Sequence, residues 1–441
     1  MIDTITITDF IKENEHAIQQ ELIDFLTIPS ISTDSSHAKD VRQAAEFVKT
    51  TLEKAGAEKA QIMETGGLPI VYAEKMIDDS LPTILIYGHY DVQPADPIEL
   101  WDTDPFTPVI KNGKIYARGA CDDKAQMMIP IKAFEFLCKT HELKYNLKFL
   151  FEGEEEVGSV SLSSFIQSNA TMLKADAALI VDTFLFNEDT PAIVYGVKGA
   201  VMLEMEITGP AKDMHSGLYG GIIKNPADEI SRLLASLKDD NGKISINGFY
   251  DGIIQPSPSD QQHLNYWANL SGNLAELQIQ AYEPTLEING ITSGYSGEGA
   301  KTIIPSKASA KVSIRLVSGQ SPGQIVDLFK THMSERLRSS DFKMIISQSV
   351  GCTATVMDTD HWMFSHAKKA CQQTFRNEIV FQRMGGSIPV VGFLQNHLSI
   401  PSLLIGFGLE SDNIHSPNEH YHLSNYYRGI ETLTHFLKSS S

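Results

Sequence analysis

Histidines and carboxylates follow the short apolar segments of this sequence. His89 and Asp91 follow the run TILIY, and Asp182 comes directly after AALIV. Others follow LKFLF and SLLIGF or stand in KIYARGACDDKAQ, and they are Glu152, Glu154, Glu155, Glu156, His415, Asp122 and Asp123. Carboxylates that are brought together repel one another and lose hydration, so they require a counter-charge. Two imidazoles and three carboxylates, one of them shared, would give two divalent metal ions three protein ligands each and leave positions for water and substrate.

Each of these features has a simpler explanation when it is taken alone. A single histidine such as His89 at a strand end is commonly a satisfied structural residue, and the segment EGEEE resembles a solvated acidic loop. Asp122 with its neighbour could cap a helix. His415 lies near His420 and His422, so a histidine-rich tail is an alternative. Their joint occurrence favours a two-metal site, because the carboxyl ends of parallel strands meet at one edge of a sheet.

Two kinds of strand are predicted around these residues. The runs TILIY, LKFLF, AALIV and SLLIGF are continuously apolar, which is typical of parallel strands covered by helices on both faces. VMLEMEIT and ASAKVSIRLV alternate between apolar and polar residues, which is typical of half-exposed antiparallel strands. NPADEISRLLASL and SPGQIVDLF predict helices that open with a capping residue and a proline. A further helix is predicted over QMMIPIKAFEFLCKT, kinked or started at Pro130.

The order of these elements predicts an α/β protein with two domains. Residues 1–197 and 351–441 would form a catalytic domain with a mostly parallel sheet covered by helices. Residues 198–350 would form an inserted ferredoxin-like α+β domain with the split β-α-β order, acting as a lid and as the dimerisation domain. The segment 242–284 is irregular in pattern and unassigned, with an extension of the insert as one explanation.

Composition narrows the classes of protein and partner. The chain has 441 residues, which is long for a single core, and 42% of them are hydrophobic. Its net charge of −19 argues against binding to nucleic acid or to an anionic membrane surface. The 4 cysteines have no CxxC spacing, so reduced thiols are expected. No apolar run is long enough for a membrane span, and a soluble cytoplasmic protein is predicted.

A series of motifs extends along the chain in a characteristic order. They are YGHYDVQP, RGACDDK, FEGEEEVGS, DMHSGLYGG, GAKTIIPSKASAKVSIRLV, GGSIP and DNIHSPNE. With these motifs the sequence resembles the carnosinase-like dipeptidases of the co-catalytic di-zinc peptidase family. That family also includes acetylornithine deacetylases, succinyl-diaminopimelate desuccinylases and carboxypeptidases of the G type. The similarity spans Ile18 to Leu437, nearly the whole chain.

The resemblance implies a set of metal ligands. One ion would be bound by His89 and Asp182 and the other by Glu156 and His415, with Asp122 bridging the two. Two divalent ions per subunit are therefore expected. Zinc suits histidine and carboxylate ligands, and manganese and cobalt are alternatives.

The resemblance also implies catalytic and substrate-binding roles. Glu155 would take a proton from a metal-bridging water and deliver it to the leaving amine, and Asp91 would orient the His89 ring. His215, supplied by the other subunit of a homodimer paired through the inserted domains, would stabilise the oxyanion. The implied substrate-binding residues are Thr302, Arg315, Gly385, Gly386 and Ser387. Arg315 suits a peptide's C-terminal carboxylate, with an ordinary surface ion pair as the alternative.

A short peptide is the predicted substrate. Within the family, aspartate at the position of Asp182 accompanies dipeptidases and aminopeptidases, so hydrolysis of dipeptides with free termini is expected. An N-acyl amino acid deacylase or a carboxypeptidase with the same di-metal site is the alternative enzyme. A metal-binding protein without catalytic activity is a third alternative. The presence of Glu155 disfavours it, because such a protein needs the metal ligands but no general base next to them. Ala125, Ser318 and Met384 depart from the family pattern and leave the substrate preference open.

Overall fold

The chain divides into two compact units in the computed structural model, which describes residues 5–439. The first unit consists of 5–195, 357–382 and 389–439, and the second consists of Gly196–Val356 and Arg383–Ile388. The predicted domains differ from these units by a few residues at each junction, and they assigned 383–388 to the first domain. These residues group with the second unit, where the N–H of Lys198 donates to the carbonyl of Gly386 at 3.0 Å. Residues 1–4 and 440–441 of the predicted catalytic domain lie outside the described residues.

Strands and helices are interspersed along the described chain, often in runs of several elements of one kind. The strands are β1 (Glu58–Met63), β2 (Ile70–Lys75), β3 (Thr83–His89), β4 (Val109–Lys111), β5 (Lys114–Tyr116), β6 (Asn146–Glu152), β7 (Ala177–Ile180), β8 (Ala192–Val197), β9 (Gly199–Thr208), β10 (Met214–His215), β11 (Thr285–Ser293), β12 (Ile303–Ile304), β13 (Lys307–Leu316), β14 (Lys343–Cys352), β15 (Thr355–Val356), β16 (Val380–Met384), β17 (Ser402–Ile405) and β18 (His420–His422). The helices are α1 (Ile7–Glu13), α2 (Glu15–Leu26), α3 (Ala38–Ala55), α4 (Lys124–Thr140), α5 (Leu162–Ser168), α6 (Ala170–Leu173), α7 (Ser216–Tyr219), α8 (Pro226–Ala235), α9 (Pro258–Ser271), α10 (Leu274–Tyr282), α11 (Pro322–Arg336), α12 (Trp362–Thr374), α13 (Pro389–Leu398) and α14 (Leu423–Lys438). Within residues 5–439, no helix has both the length and the apolar character that crossing a bilayer requires.

The first unit is built on a mixed sheet whose centre is parallel. Its strands lie in the order β1-β2-β6-β3-β7-β17-β8. Strands β6, β3, β7 and β17 run parallel to one another, whereas β1, β2 and β8 are antiparallel to their neighbours. Helix α3 packs against β2, α4 against β3 and α13 against β17. The predicted mostly parallel, helix-covered sheet is confirmed, and the burial of its central strands explains their continuously apolar sequences.

Helix α4 passes through a proline. It begins at Lys124 and continues through Pro130 to Thr140, so the predicted alternative of a helix that starts at Pro130 is wrong. The first turn follows directly after Asp122 and Asp123. The residues from Lys124 to Phe134 are all buried, and this packing supports the helix across the position where the proline lacks a backbone N–H.

The second unit contains a four-stranded antiparallel sheet in the order β11-β13-β9-β14. In chain order its elements are β9, α8, β11, β13, α11 and β14, so the predicted ferredoxin-like insert is confirmed. The alternate residues of β9 and β13 that were predicted to face inward form one core with α8 and α11, and they are Val201, Leu203, Met205, Ile207, Ala310, Val312, Ile314 and Leu316. A separate ribbon pairs β10 with β12.

The segment 242–284, unassigned from its sequence, contains two helices. Helix α9 starts at a capping box in which Ser257 and Asp260 bond each other's backbone N–H groups. Helix α10 follows after a short turn. Sequence periodicity did not reveal α9, because Leu264 and Trp267 are its only apolar residues in the buried set.

Candidate metal centre

Two groups of metal-binding side chains share Asp122. Oδ1 of Asp122 lies 3.1 Å from Nε2 of His89, and its Oδ2 lies 3.0 Å from Nε2 of His415. Oδ2 of Asp182 lies 3.9 Å from Nε2 of His89, and Oε2 of Glu156 lies 3.3 Å from Nε2 of His415. In each group the three ligand atoms lie within 4.8 Å of one another. The structure thus brings together all the side chains that were predicted as metal ligands, with one carboxylate facing both groups.

These side chains fit a pair of divalent cations. Nδ1 of His89 lies 3.1 Å from the carbonyl oxygen of Asp91, a contact in which the ring nitrogen donates, so Nε2 of the neutral ring carries a lone pair. Among residues 5–439, Nε2 of His89 and Oε1 of Glu156 are buried atoms without a hydrogen-bond partner. Buried acceptors without donors are costly, and a cation placed among them would satisfy them.

The crowded carboxylates of the centre also favour the binding of cations. Burial raises the pKa of Asp182 well above its ordinary value, and the neighbouring charge of Asp122 raises it further. Burial also raises the pKa of Glu155 to about 7; His89 opposes this shift, and the carboxylates Asp122 and Glu156 add to it. Crowded carboxylates in a buried site need a counter-charge, which divalent metal supplies. A carboxyl whose pKa lies near neutrality is also suited to accept and return a proton.

Asp91 connects the histidine to the acidic turn that follows β6. Its side chain is fully buried. Oδ1 accepts the N–H of Glu155 at 3.2 Å and Oδ2 accepts the N–H of Glu156 at 3.1 Å, while its carbonyl oxygen faces the His89 ring. The sequence indicated only the contact with His89. Gln93, two residues further along, donates from Nε2 to Oε2 of Glu156 at 2.8 Å, and its contribution was not predicted.

Glu419 supports the loop that carries the shared carboxylate. It is fully buried, and its Oε2 accepts hydrogen bonds from the Arg118 guanidinium at 2.7 Å and from the N–H of Gly119 at 2.9 Å. Its Oε1 accepts the N–H groups of Cys121 at 2.8 Å and Asp122 at 3.1 Å. Sequence reasoning assigned no role to this glutamate, although it belongs to the motif DNIHSPNE. The sequence signal that could have pointed to Glu419 is its position close to His415. Only the fold shows which backbone N–H groups it accepts.

Other acidic residues of the strand ends have structural contacts instead. Glu152 accepts hydrogen bonds from the Tyr87 hydroxyl at 2.6 Å and from Ser159 Oγ at 2.8 Å, and burial raises its pKa to about 8. Glu154 accepts the N–H of Leu68 at 2.7 Å and that of Ser161 at 2.9 Å. Neither belongs to the two groups around the shared aspartate. The two glutamates therefore fix the segment around the acidic turn.

In the second unit, His215 and Thr302 lie in one short ribbon. His215 pairs with Ile303 across β10 and β12, and the N–H of Ser216 donates to the carbonyl of Thr302 at 3.0 Å. Nδ1 of His215 accepts the N–H of Gly217 at 3.0 Å. Because Nδ1 is an acceptor in this contact, the proton of the neutral ring lies on Nε2. The His215 side chain is exposed, with Nε2–H as a donor.

Arg315 and the GGSIP loop also meet within the second unit. Nη1 of Arg315 donates to Oγ of Ser387 at 2.9 Å. The carbonyl of Gly386 accepts the N–H of Lys198, and a Cβ on Gly385 would lie 3.0 Å from the side chain of Gln280. The second unit therefore holds all the residues that were predicted to bind substrate. Nζ of Lys198 donates to two carbonyls, and burial together with the charge of Arg315 lowers its pKa to about 8.

Known proteins resemble the chain over most of its length. A family model described as "Peptidase family M20/M25/M40" matches residues 85–439. The Cys-Gly metallodipeptidase dug1 of Schizosaccharomyces pombe is 33% identical over 449 residues, which cover 94% of this chain and 94% of the relative. The Beta-Ala-His dipeptidase of Homo sapiens is 30% identical over 420 residues, covering 88% of this chain and 82% of the relative. The crystal structure of an M20 family metallo-carboxypeptidase, Sso-CP2 from Sulfolobus solfataricus, matches with a TM-score of 0.89 and 32% identity, covering 96% of this chain and 98% of that one.

Proposed function

Because the chain belongs to peptidase family M20/M25/M40, we propose that it is a metal-dependent dipeptidase that hydrolyses dipeptides with free termini. The relatives confirm the predicted resemblance to carnosinase-like dipeptidases and the predicted class, a hydrolase acting on peptide bonds. The observation that carries the proposal is the sharing of one carboxylate, Asp122, by two groups of metal-binding side chains.

In this proposal, one ion is bound by His89, Asp182 and Asp122, and the other by Glu156, His415 and Asp122. The ligand types favour zinc, and manganese or cobalt would also be accepted. When bound, the cations would lower the pKa of a water molecule and polarise the carbonyl of the peptide bond.

Glu155 is the proposed general base. It takes a proton from the attacking water and gives it to the amine that leaves. Three features of Glu155 support this role. Its backbone N–H donates to Asp91, and it directly precedes Glu156. Its pKa of about 7 suits both accepting and returning a proton. The hydrogen bond from its N–H limits the positions that the turn can adopt, so Asp91 acts as a positioning residue for both the base and His89.

His215 is the proposed hydrogen-bond donor to the oxyanion that forms on the carbonyl oxygen. Its proton lies on Nε2 when Nδ1 accepts from Gly217, so the exposed edge of the neutral ring is a donor. We propose that the histidine is supplied by the second chain of a homodimer that pairs through the lid domain. Dimerisation would then be required for turnover.

Arg315, Thr302, Gly385, Gly386 and Ser387 are the proposed substrate-binding residues. The guanidinium of Arg315 would pair with the C-terminal carboxylate of a peptide, and Ser387 Oγ holds one of its nitrogens in place. A neutral hydroxyl positions a guanidinium without neutralising it. The positive charge therefore stays available for an anionic substrate group.

A carboxypeptidase that accepts longer or N-blocked substrates is the second candidate. The observation that favours it is the similarity to the metallo-carboxypeptidase Sso-CP2. Both candidates use the same metal centre and recognise a free C-terminus. They differ in whether the substrate must carry a free amino group.

A substrate panel separates the candidates. The chelated protein, reloaded with zinc, manganese or cobalt, would be assayed on Ala-Ala, Leu-Gly, Cys-Gly and β-Ala-His, and on N-acetyl-Leu-Gly and N-acetyl amino acids as N-blocked controls. We expect metal-dependent release of free amino acids from the dipeptides and little from the blocked compounds. Faster cleavage of the blocked compounds would favour the carboxypeptidase or deacylase. Failure to cleave any of them with any of the metals would contradict the proposal.

A further inference from the structure

Another cluster of histidine and carboxylate side chains lies in the first unit, apart from the two groups that share Asp122. It consists of Asp412, His420 and His422. The two histidines are separated by one residue on β18, which places their side chains on the same side of the strand. Oδ1 of Asp412 lies 3.6 Å from Nε2 of each histidine, and the three atoms lie within 4.8 Å of one another.

The separations in this cluster are those of metal ligands and not of hydrogen bonds. A distance of 3.6 Å is too long for a hydrogen bond between these atoms. Ligand atoms at zinc-ligand distances and tetrahedral angles are about 3.3 Å apart. In the described residues, Oδ1 of Asp412 and Nε2 of His422 are buried atoms without a hydrogen-bond partner, and the Asp412 side chain is 0% exposed. A fully buried carboxylate oxygen is thus directed at two imidazole nitrogens with no donor to satisfy it.

The His420 ring is held in the tautomer that can bind metal. Nδ1 of His420 lies 3.0 Å from the carbonyl oxygen of Asn418, where the ring nitrogen must donate, so Nε2 of the neutral ring carries the lone pair. Burial lowers the pKa of His420 and of His422, which favours the neutral rings. An ion pair with Asp412 would require a protonated ring instead.

Lys114 competes for one of the ligand positions. It lies opposite His422 in the register of β5 and β18, and its Nζ lies 3.0 Å from Nε2 of His420. The lysine therefore occupies the lone pair that a cation would use. Its half-buried side chain has a flexible aliphatic stem, so the ammonium can move towards solvent when a cation enters. Entry of the cation costs the hydrogen bond between Lys114 and His420.

We propose that Asp412, His420 and His422 form a third metal site, which takes a zinc-like divalent cation. Two nitrogens and one carboxylate oxygen are the ligand types that zinc and its neighbours among the transition metals prefer over calcium or magnesium. The ion joins the turn Glu410–Asp412 to β18 and so fixes both ends of the loop that carries His415. Its role is structural, because it connects two segments of the fold that flank a ligand of the catalytic pair.

Metal content tests this site without an activity assay. The full chain would be equilibrated at a defined free zinc concentration and its bound zinc measured by mass spectrometry. We expect wild-type protein to hold about one ion per chain more than His422→Gln. The difference between the two proteins is the test, so the result does not depend on whether the catalytic pair is filled. His435→Gln, the same change at a half-buried histidine in α14, is the matched control and should keep the wild-type content. Equal zinc content in His422→Gln and wild type would overturn the proposal.

Lys114→Met tests the same site through a change that should strengthen metal binding. Removal of the ammonium frees Nε2 of His420, so the dissociation constant of the third ion should fall about tenfold, the equivalent of one charge-assisted hydrogen bond. Competition with a chromophoric zinc chelator measures this change, and it remains decisive if His422→Gln fails to fold. A zinc titration of Lys114→Met that matches wild type in both the number of bound ions and their affinity would overturn the proposal.

Discussion

The metal centre of the first unit and the candidate substrate-binding residues of the second unit are held in place differently. His89 and Asp91 are fully buried, and Asp91 and Glu419 each bond several backbone N–H groups of the segments that carry ligands. His215 is exposed and lies on a two-residue strand, where a single backbone N–H contacts its ring. Buried groups with several hydrogen bonds keep one geometry, whereas exposed residues on short ribbons adjust more easily. We therefore expect the first region to keep the proposed ligands and base in one geometry, and the second region to adjust around the substrate.

The largest effect is expected in the first region, at Glu155, the proposed general base. Glu155→Gln should lower kcat by roughly 10²- to 10⁴-fold, because the amide cannot accept the proton of the attacking water. Zinc content should stay at the wild-type level, since Glu155 is not among the ligand groups. Steady-state kinetics and metal analysis on one preparation measure both quantities. Glu13→Gln, the same change at an exposed glutamate in α1, is the control and should leave both unchanged. Near-normal turnover in Glu155→Gln would contradict the role of base.

In the second region, the largest effect is expected at His215, the proposed oxyanion donor. His215→Ala should lower kcat by roughly 10²- to 10³-fold with a smaller change in KM, since the donor acts on charge that develops in the transition state. His215→Asn keeps a short donor and should recover part of the rate. Sedimentation analysis of the wild-type protein at assay concentration tests the dimer. A fully active monomer would refute the proposed supply of the histidine by a second chain.

A smaller effect is expected for the residue that positions the ligands. Asp91→Asn removes one of the two acceptor oxygens that hold the acidic turn, and should weaken metal binding by roughly 10- to 100-fold. Calorimetric titration of the metal-free protein with zinc measures this directly. Kinetics at saturating zinc should recover most of the activity, because the ligands themselves are intact. If the zinc affinity of Asp91→Asn equals that of wild type, the hydrogen bonds of Asp91 do not hold the ligands in place, and the proposed contrast between a rigid first region and an adjustable second region is wrong.

The smallest effect is expected at Arg315, which we propose binds the C-terminal carboxylate of the substrate. Arg315→Lys keeps the charge but loses the two-pronged geometry of the guanidinium, so KM for dipeptides should rise about tenfold with kcat nearly unchanged. Ser387→Ala, which removes the hydroxyl that receives Nη1, should give a milder change in the same direction. A fall in kcat without a change in KM would place Arg315 in the chemical step instead of in binding.

Much of the fold was predictable because it depends on local periodicity. The apolar run before His89 and the alternation in β9 and β13 each predicted a strand and its burial correctly, since such patterns arise from whether one or both faces of a strand are covered. Helix α9 escaped prediction because its pattern is mostly polar. The passage of α4 through Pro130 escaped it as well, because the packing that supports the proline comes from distant parts of the chain.

The types of residue at the site were predictable from the sequence, but the contacts that each of them makes were not. Among the acidic residues after β6, only the fold shows that Glu152 and Glu154 bond structural partners while Glu156 faces His415. The backbone contacts of Glu419, which lies almost three hundred residues beyond the loop that it supports, could not be read from spacing. The same holds for the direction of the Asp412 carboxylate towards β18.

The sequence by itself determined the ligand types, the strands that end in them and, through its motifs, the family of hydrolases. The tertiary structure alone decided that Asp91 would hold the acidic turn as well as the histidine, that Glu419 would support the loop of Asp122, and that a further histidine pair would meet a buried aspartate. The reason is physical: periodicity encodes which face of a local element is buried, whereas a metal site requires atoms from distant segments to meet within a few ångström, and only the packed chain sets those distances.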